Sequence, residues 1–170
     1  MSRWILLLLL ALSLQACSAN GLLSPPTATA LPGRSLANPV QVGSEVTADG
    51  MRFMLTGAIR PADDLVLAGD MFNPQAGQYK HYVFVSLDVT CDRPEPCQLD
   101  VSKLRLLGSD DVVRYPKKFL AGVDGLLTST DFQNGSSLAG DLAYIVDVGT
   151  SRLVLTYEAG SGEKIYLALP

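Results

Sequence analysis

Three sets of side chains in this sequence have types and spacings that invite chemistry. Cys91 and Cys97 stand six positions apart around Asp-Arg-Pro-Glu-Pro. A structural zinc site needs a second pair of ligands, which this spacing does not supply. A redox pair would be Cys-x-x-Cys at a helix start. In an oxidising compartment the simplest expectation is a structural disulfide. Closing so small a loop contributes about 2 kcal/mol, less here because Pro94 and Pro96 already restrict the unfolded chain. His81 is the only histidine. It has no serine or cysteine near it in sequence, so no triad is indicated and an exposed strand position is expected. Asp63-Asp64 and Asp110-Asp111 are paired carboxylates of the kind used in acid–base work. Adjacent residues in extended chain point apart, however, so solvated turns are expected. Asp131 to Gly135 lacks the repeated oxygen ligands of a calcium loop. No nucleophile–base pair or ligand set assembles, so the chain is expected to be non-catalytic, without cofactor or metal.

One charge feature is uneven. The chain is acidic, with formal net charge −4, yet Lys103, Arg105, Arg114, Lys117 and Lys118 cluster in its middle. If the strands holding Lys103, Arg105 and Arg114 pair, these cations share a face suited to an anionic surface, each worth about 1 kcal/mol there. The alternative is an outer sheet face interspersed with Asp110 and Asp111. The acidic balance argues against a nucleic-acid partner.

The amino terminus carries an address. After Arg3, Trp4 to Leu14 is an apolar run, well short of the roughly 20 residues that span a bilayer. It fits a secretory leader. Leu14-Gln15-Ala16-Cys17 resembles the lipobox of bacterial lipoproteins. The resemblance implies cleavage after Ala16 (leader 1–16), lipidation of Cys17, and an extracytoplasmic protein held to a bacterial membrane by that lipid, at the cell surface or in the periplasm. Two or three chains on one residue make the anchor durable where a single chain is marginal. Residues 17–38 then form the lipidated cysteine and a tether rich in Pro, Ala, Ser and Thr, with too little apolar material for a core. A coil of that length spans about 25 Å r.m.s..

The remaining elements follow a period of two. Met51, Phe53 and Leu55 fall on one face behind the turn pair Asp49-Gly50; Val83, Val85, Leu87 and Val89 fall on one face of a long strand. Leu142, Tyr144, Val146 and Val148 repeat the pattern, as do Leu153, Leu155 and Tyr157. Ile165, Leu167 and Leu169 close a terminal hairpin across Ala-Gly-Ser-Gly-Glu. No segment beyond the leader sustains a helical apolar period. Residues 39–170 are thus expected to form an all-β, immunoglobulin-like antiparallel β-sandwich of about seven to nine strands.

The strand pattern resembles a bacterial immunoglobulin-like lipoprotein family, domain of unknown function 4352. It is more distantly similar to small secreted mycobacterial antigens with the same sandwich. The resemblance is carried by Val42 to Ala58, Tyr82 to Thr90, Leu104 to Tyr115 and Asn134 to Asp147. A cysteine-bounded loop replaces the family's asparagine-rich turn after the central strand. The resemblance implies the fold and transfers no catalytic residue.

Function is then expected to reside in loops: an interaction module that meets an envelope or extracellular partner. Two segments stand out, 62–78 and 121–135. Leu65, Val66, Leu67, Met71 and Phe72 give the first an apolar patch if it is an exposed loop; otherwise it is an extra strand at the core edge. The alternative function is a carrier holding a small apolar ligand or lipid between the sheets.

Overall fold

The computed structural model describes residues 31–170; the leader, Cys17 and the first part of the tether lie outside the described residues. Among the described residues nine strands form an antiparallel sandwich: β1 Glu45–Ala48, β2 Met51–Ile59, β3 Lys80–Cys91, β4 Cys97–Leu99, β5 Leu104–Leu107, β6 Thr130–Phe132, β7 Ser137–Asp147, β8 Val154–Glu158 and β9 Lys164–Ala168. One sheet has the order β1-β2-β3-β7 and the other β5-β8-β9, with a short β4-β6 ribbon. The alternating residues named above turn inward. Phe53, Leu55, Val83, Val85, Leu87, Tyr144, Val146, Leu155, Ile165 and Leu167 are fully buried in one core. Val148 is the exception: the strand stops at Asp147 and Val148 is exposed.

Local chemistry sets the corners. Asp49 and Gly50 both take positive φ in the β1–β2 hairpin, as the tight turn that matches strand twist requires. The Asp49 carboxylate then accepts from the Gly160 N–H at 2.7 Å and the Tyr157 hydroxyl at 3.2 Å, tying this turn to the β8–β9 hairpin of the opposite sheet. The Tyr144 hydroxyl donates to the Leu104 carbonyl at 3.2 Å. Burial pushes its pKa up, so the proton needed for that bond stays on. Cys91 and Cys97 form the disulfide, joining the end of β3 to β4.

Two boundaries differ from expectation. The packed chain begins before residue 39: Gly33 donates to the Asn38 carbonyl and accepts from Tyr166 of β9. Arg34 also pairs with Glu163. These bonds cover part of the β9 edge, an end a sandwich must protect. Residues Asp63–Gly69, read as loop or strand, form a short helix, α1. Asp63 and Asp64 occupy its first turn, where carboxylates favour the helix dipole, and Leu65, Leu67 and Ala68 are good helix formers.

Candidate functional site

The two loop segments singled out by sequence meet on the outer face of β3 and β7. A second apolar cluster forms there from Ala62, Val66, Tyr82, Phe84, Leu120 and Ala143. The start of α1 is fixed by the Ala62 N–H donating to the Tyr82 carbonyl at 2.8 Å. The Tyr82 hydroxyl donates to the Pro74 carbonyl, also at 2.8 Å, and holds the returning chain. Burial, then the nearby Asp63 carboxylate, raises the Tyr82 pKa and keeps that donor protonated.

Asn73 latches the segments together. Its side-chain amide donates to the carbonyls of Val66 (2.9 Å) and Ala121 (2.8 Å), and its oxygen accepts from the Ala121 N–H at 2.8 Å. Beside it the backbones of Gly69 and Gly122 touch: a Cβ on Gly122 would lie 2.1 Å from the Gly69 carbonyl oxygen. Gly122 also has φ +65, so no other residue fits there without displacement.

This platform corrects part of the expected patch. Val66 is 1% exposed and belongs to the cluster beneath, because a helix turns it inward and its neighbours outward. Leu65 and Leu67 are exposed, and Met71 and Phe72 stand out at 76% and 87%. Asp63, Asp64 and Asp70 surround them in sequence. A cleft of about 540 Å³ runs beside α1, lined by Asp63, Val66, Leu67, Gln75, Gln78 and Tyr82 among others.

Of the five cations, Arg105 and Arg114 are engaged by carboxylates. Leu106 and Arg114 do form an antiparallel bridge, as the paired-strand reading required. Arg114, however, is 7% exposed and pairs with Asp110 and with Asp147 at 3.0 Å. Asp110, expected in a solvated turn, also accepts from the Thr150 hydroxyl at 3.0 Å and the Val112 N–H at 3.2 Å. The Arg114 guanidinium and these donors hold its carboxyl well below the usual range. Arg105 pairs with Glu158 at 3.2 Å and lies over the Tyr115 ring. Lys103 sits half-buried in the turn before β5. Only Lys117 and Lys118 of the five are fully exposed. His81 is half-buried in β3 opposite Val146, with a buried, unbonded Nε2.

Asn73, Gly69, Gly122, Leu120 and Asp147 escaped the sequence reading. Asn73-Pro74 is a turn dipeptide, but that signal marks a bend and not the segment it will hold. Among the described residues no group of three or more His, Cys, Asp or Glu could hold a metal ion, and no helix is long and apolar enough to cross a membrane.

Fold and site define an all-β sandwich whose outer sheet face carries a latched loop platform. Solved structures share that fold. The yjhA protein of Bacillus subtilis aligns with a TM-score of 0.57 at 11% identity, covering 77% of this chain and 99% of its own. The candidate lipoprotein ycdA of the same organism gives 0.57 at 14% identity, covering 74% of this chain and 38% of its own. The secreted protein MPT63 of Mycobacterium tuberculosis gives 0.54 at 13% identity, covering 78% and 98%. No family model and no curated protein matches the chain.

Proposed function

We propose that this chain is a non-catalytic, extracytoplasmic lipoprotein whose latched platform binds a protein of the cell envelope. The observation that carries this reading is the exposure of Met71 and Phe72 on a segment fixed by Asn73 and Tyr82. Apolar side chains held rigidly in water lose little conformational freedom on binding, which favours association. Asp63, Asp64 and Asp70, close to them in sequence, favour a partner with an apolar pocket and a basic rim. Anchoring through Cys17 rests on the lipobox spacing. It accords with an oxidised Cys91–Cys97 pair and with secreted and lipoprotein-like neighbours in fold.

Two experiments test the proposal. Cys17→Ser should move the protein from the membrane fraction to the soluble one, and retention on the membrane would refute the anchor. A photo-crosslinking amino acid at Phe72, in cells, should capture one protein that the same probe at Ser161 does not. Equal capture from both positions would remove the platform from consideration.

A further inference from the structure

We propose a second binding site, at the edge of the sandwich beside β5 and β7, for an amphipathic anion: an alkyl or aromatic body bearing a carboxylate or phosphate. It is independent of the platform. A cleft of about 540 Å³ opens between the turn 100–102, the strap 115–118 and residues 127–129, a size suited to a small ligand.

Its lining is divided. Val101 and Leu127 pack against the main core and offer apolar surface. Pro116 and the exposed Tyr115 ring add to it. Arg105 lies over that ring, 5.6 Å from its centroid, and is itself paired with Glu158, so its charge is engaged.

Two charged residues line the cleft, and they are not equivalent. Asp100 is held in place and ionised: its Oδ1 accepts from the Ser102 N–H at 3.0 Å, the Ser102 hydroxyl at 2.7 Å and the Ser129 hydroxyl at 3.5 Å. Nearby Lys103 also favours its charge. Lys118 is exposed and has no ion-pair partner among the described residues. Lys118 is therefore the lining charge with no partner in the fold among the described residues, at the rim of an apolar cleft. A long lysine can lie along apolar surface and hold its ammonium toward an anionic head.

The three segments are already fixed. The Lys117 N–H donates to Ala143 at 2.7 Å, the Leu127 N–H to Asp141 at 2.8 Å, and the Val101 N–H to the Ser129 hydroxyl at 3.0 Å. A preformed cleft binds without the cost of ordering loops. The cleft lies at the sandwich edge, apart from the core in which the Phe53 and Tyr157 rings meet at a tilt with centroids 4.7 Å apart.

The test titrates the mature chain carrying Cys17→Ser, which bears no lipid, with decanoate, decyl phosphate, 1-decanol and decyltrimethylammonium below their micelle concentrations. Amide shifts are read by NMR. Decanoate or decyl phosphate should saturate, with shifts at 100–102, 115–118 and 127–129. Decanol should bind about fivefold more weakly, the range of one partly exposed ion pair. Lys118→Gln should bring the anions to the decanol level, and Lys118→Arg should restore them. Tighter decyl phosphate assigns a lipid phosphate and tighter decanoate a free acid; both retain the site. Equal binding of the ammonium probe, indifference to Lys118→Gln, or shifts centred on 62–78 would overturn it. The last would leave the platform reading untouched, since no residue of 62–78 and no partner of Asn73 lines this cleft.

Discussion

The inner and outer faces of β3 are built by different means. Inward, Val83, Val85, Leu87 and Val89 are fully buried against the opposite sheet. Outward, Tyr82 and Phe84 are buried only where α1 and Leu120 cover them, and the row continues as Ser86, Asp88 and Thr90. Ser86 donates to Asp141 at 2.6 Å and Thr90 bonds Ser137 at 2.7 Å. One face is closed by a second sheet with its own hydrogen-bonded ladder. The other is closed by α1 and loops held by scattered bonds, those of Asn73 and the Tyr82 hydroxyl among them. The outer layer should therefore open at lower free energy than the core, as loosely contacted segments generally do.

The largest effect should come from the inner face. Leu87→Ala removes buried volume that the sheets cannot collapse around, and should lower global stability by about 3 kcal/mol in denaturant unfolding. Val66→Ala, on the outer face, should cost less globally and instead raise amide exchange across 62–78. Equal loss in both variants, with no local opening in the second, would show that the two layers unfold as one unit.

A smaller effect isolates the latch. Asn73→Ala deletes three hydrogen bonds and takes the side-chain partner from the Ala121 N–H and carbonyl, while the Val66 carbonyl keeps the Asp70 N–H, for about 1–3 kcal/mol. The loss should appear as faster exchange at 66–73 and 120–123, while β3 and β8 keep their protection. If the photo-crosslink from Phe72 depends on rigidity, it should weaken in the same variant.

The contrast between the faces also explains which parts were legible in the sequence. The inward rows of β2, β3, β7, β8 and β9 repeat with period two over five or more residues, so their faces could be read directly. Asp49-Gly50 and Cys91–Cys97 are local signals, complete within a few residues. The outer layer rests on long-range pairings with no period. Asn73 reaches Ala121, Gly69 touches Gly122, and Arg114 finds Asp147. Leu65-Val66-Leu67 reads as strand or loop by sequence, and the helix it forms turns Val66 into the outer apolar cluster. The basic run from Lys103 to Lys118 looked uniform in sequence, yet two of its members are consumed by carboxylates that lie more than thirty residues away.

The smallest effect at neutral pH becomes visible in acid. Arg114 and its carboxylates fasten the chain just before the strap that carries Leu120 into the outer cluster. The Asp110 carboxyl has an ordinary value of 3.8 and is depressed in the fold, first by the hydrogen bond from Arg114. A depressed carboxyl adds stability that is complete above its unfolded value and is lost as pH falls through its folded one, because the unfolded chain binds the proton first. As pH falls below about 4 the strap should thus progressively lose the stability this fastening adds, while the apolar inner face, which carries no such charge, is unaffected. Exchange at 110–123 should rise before exchange at 83–89. Asp110→Asn should flatten the acid dependence by about one proton and make the strap equally loose at neutral pH. If wild-type strap and inner strand lose protection together at every pH, the outer face is no separate layer, and the latch is only one more contact of a single cooperative core.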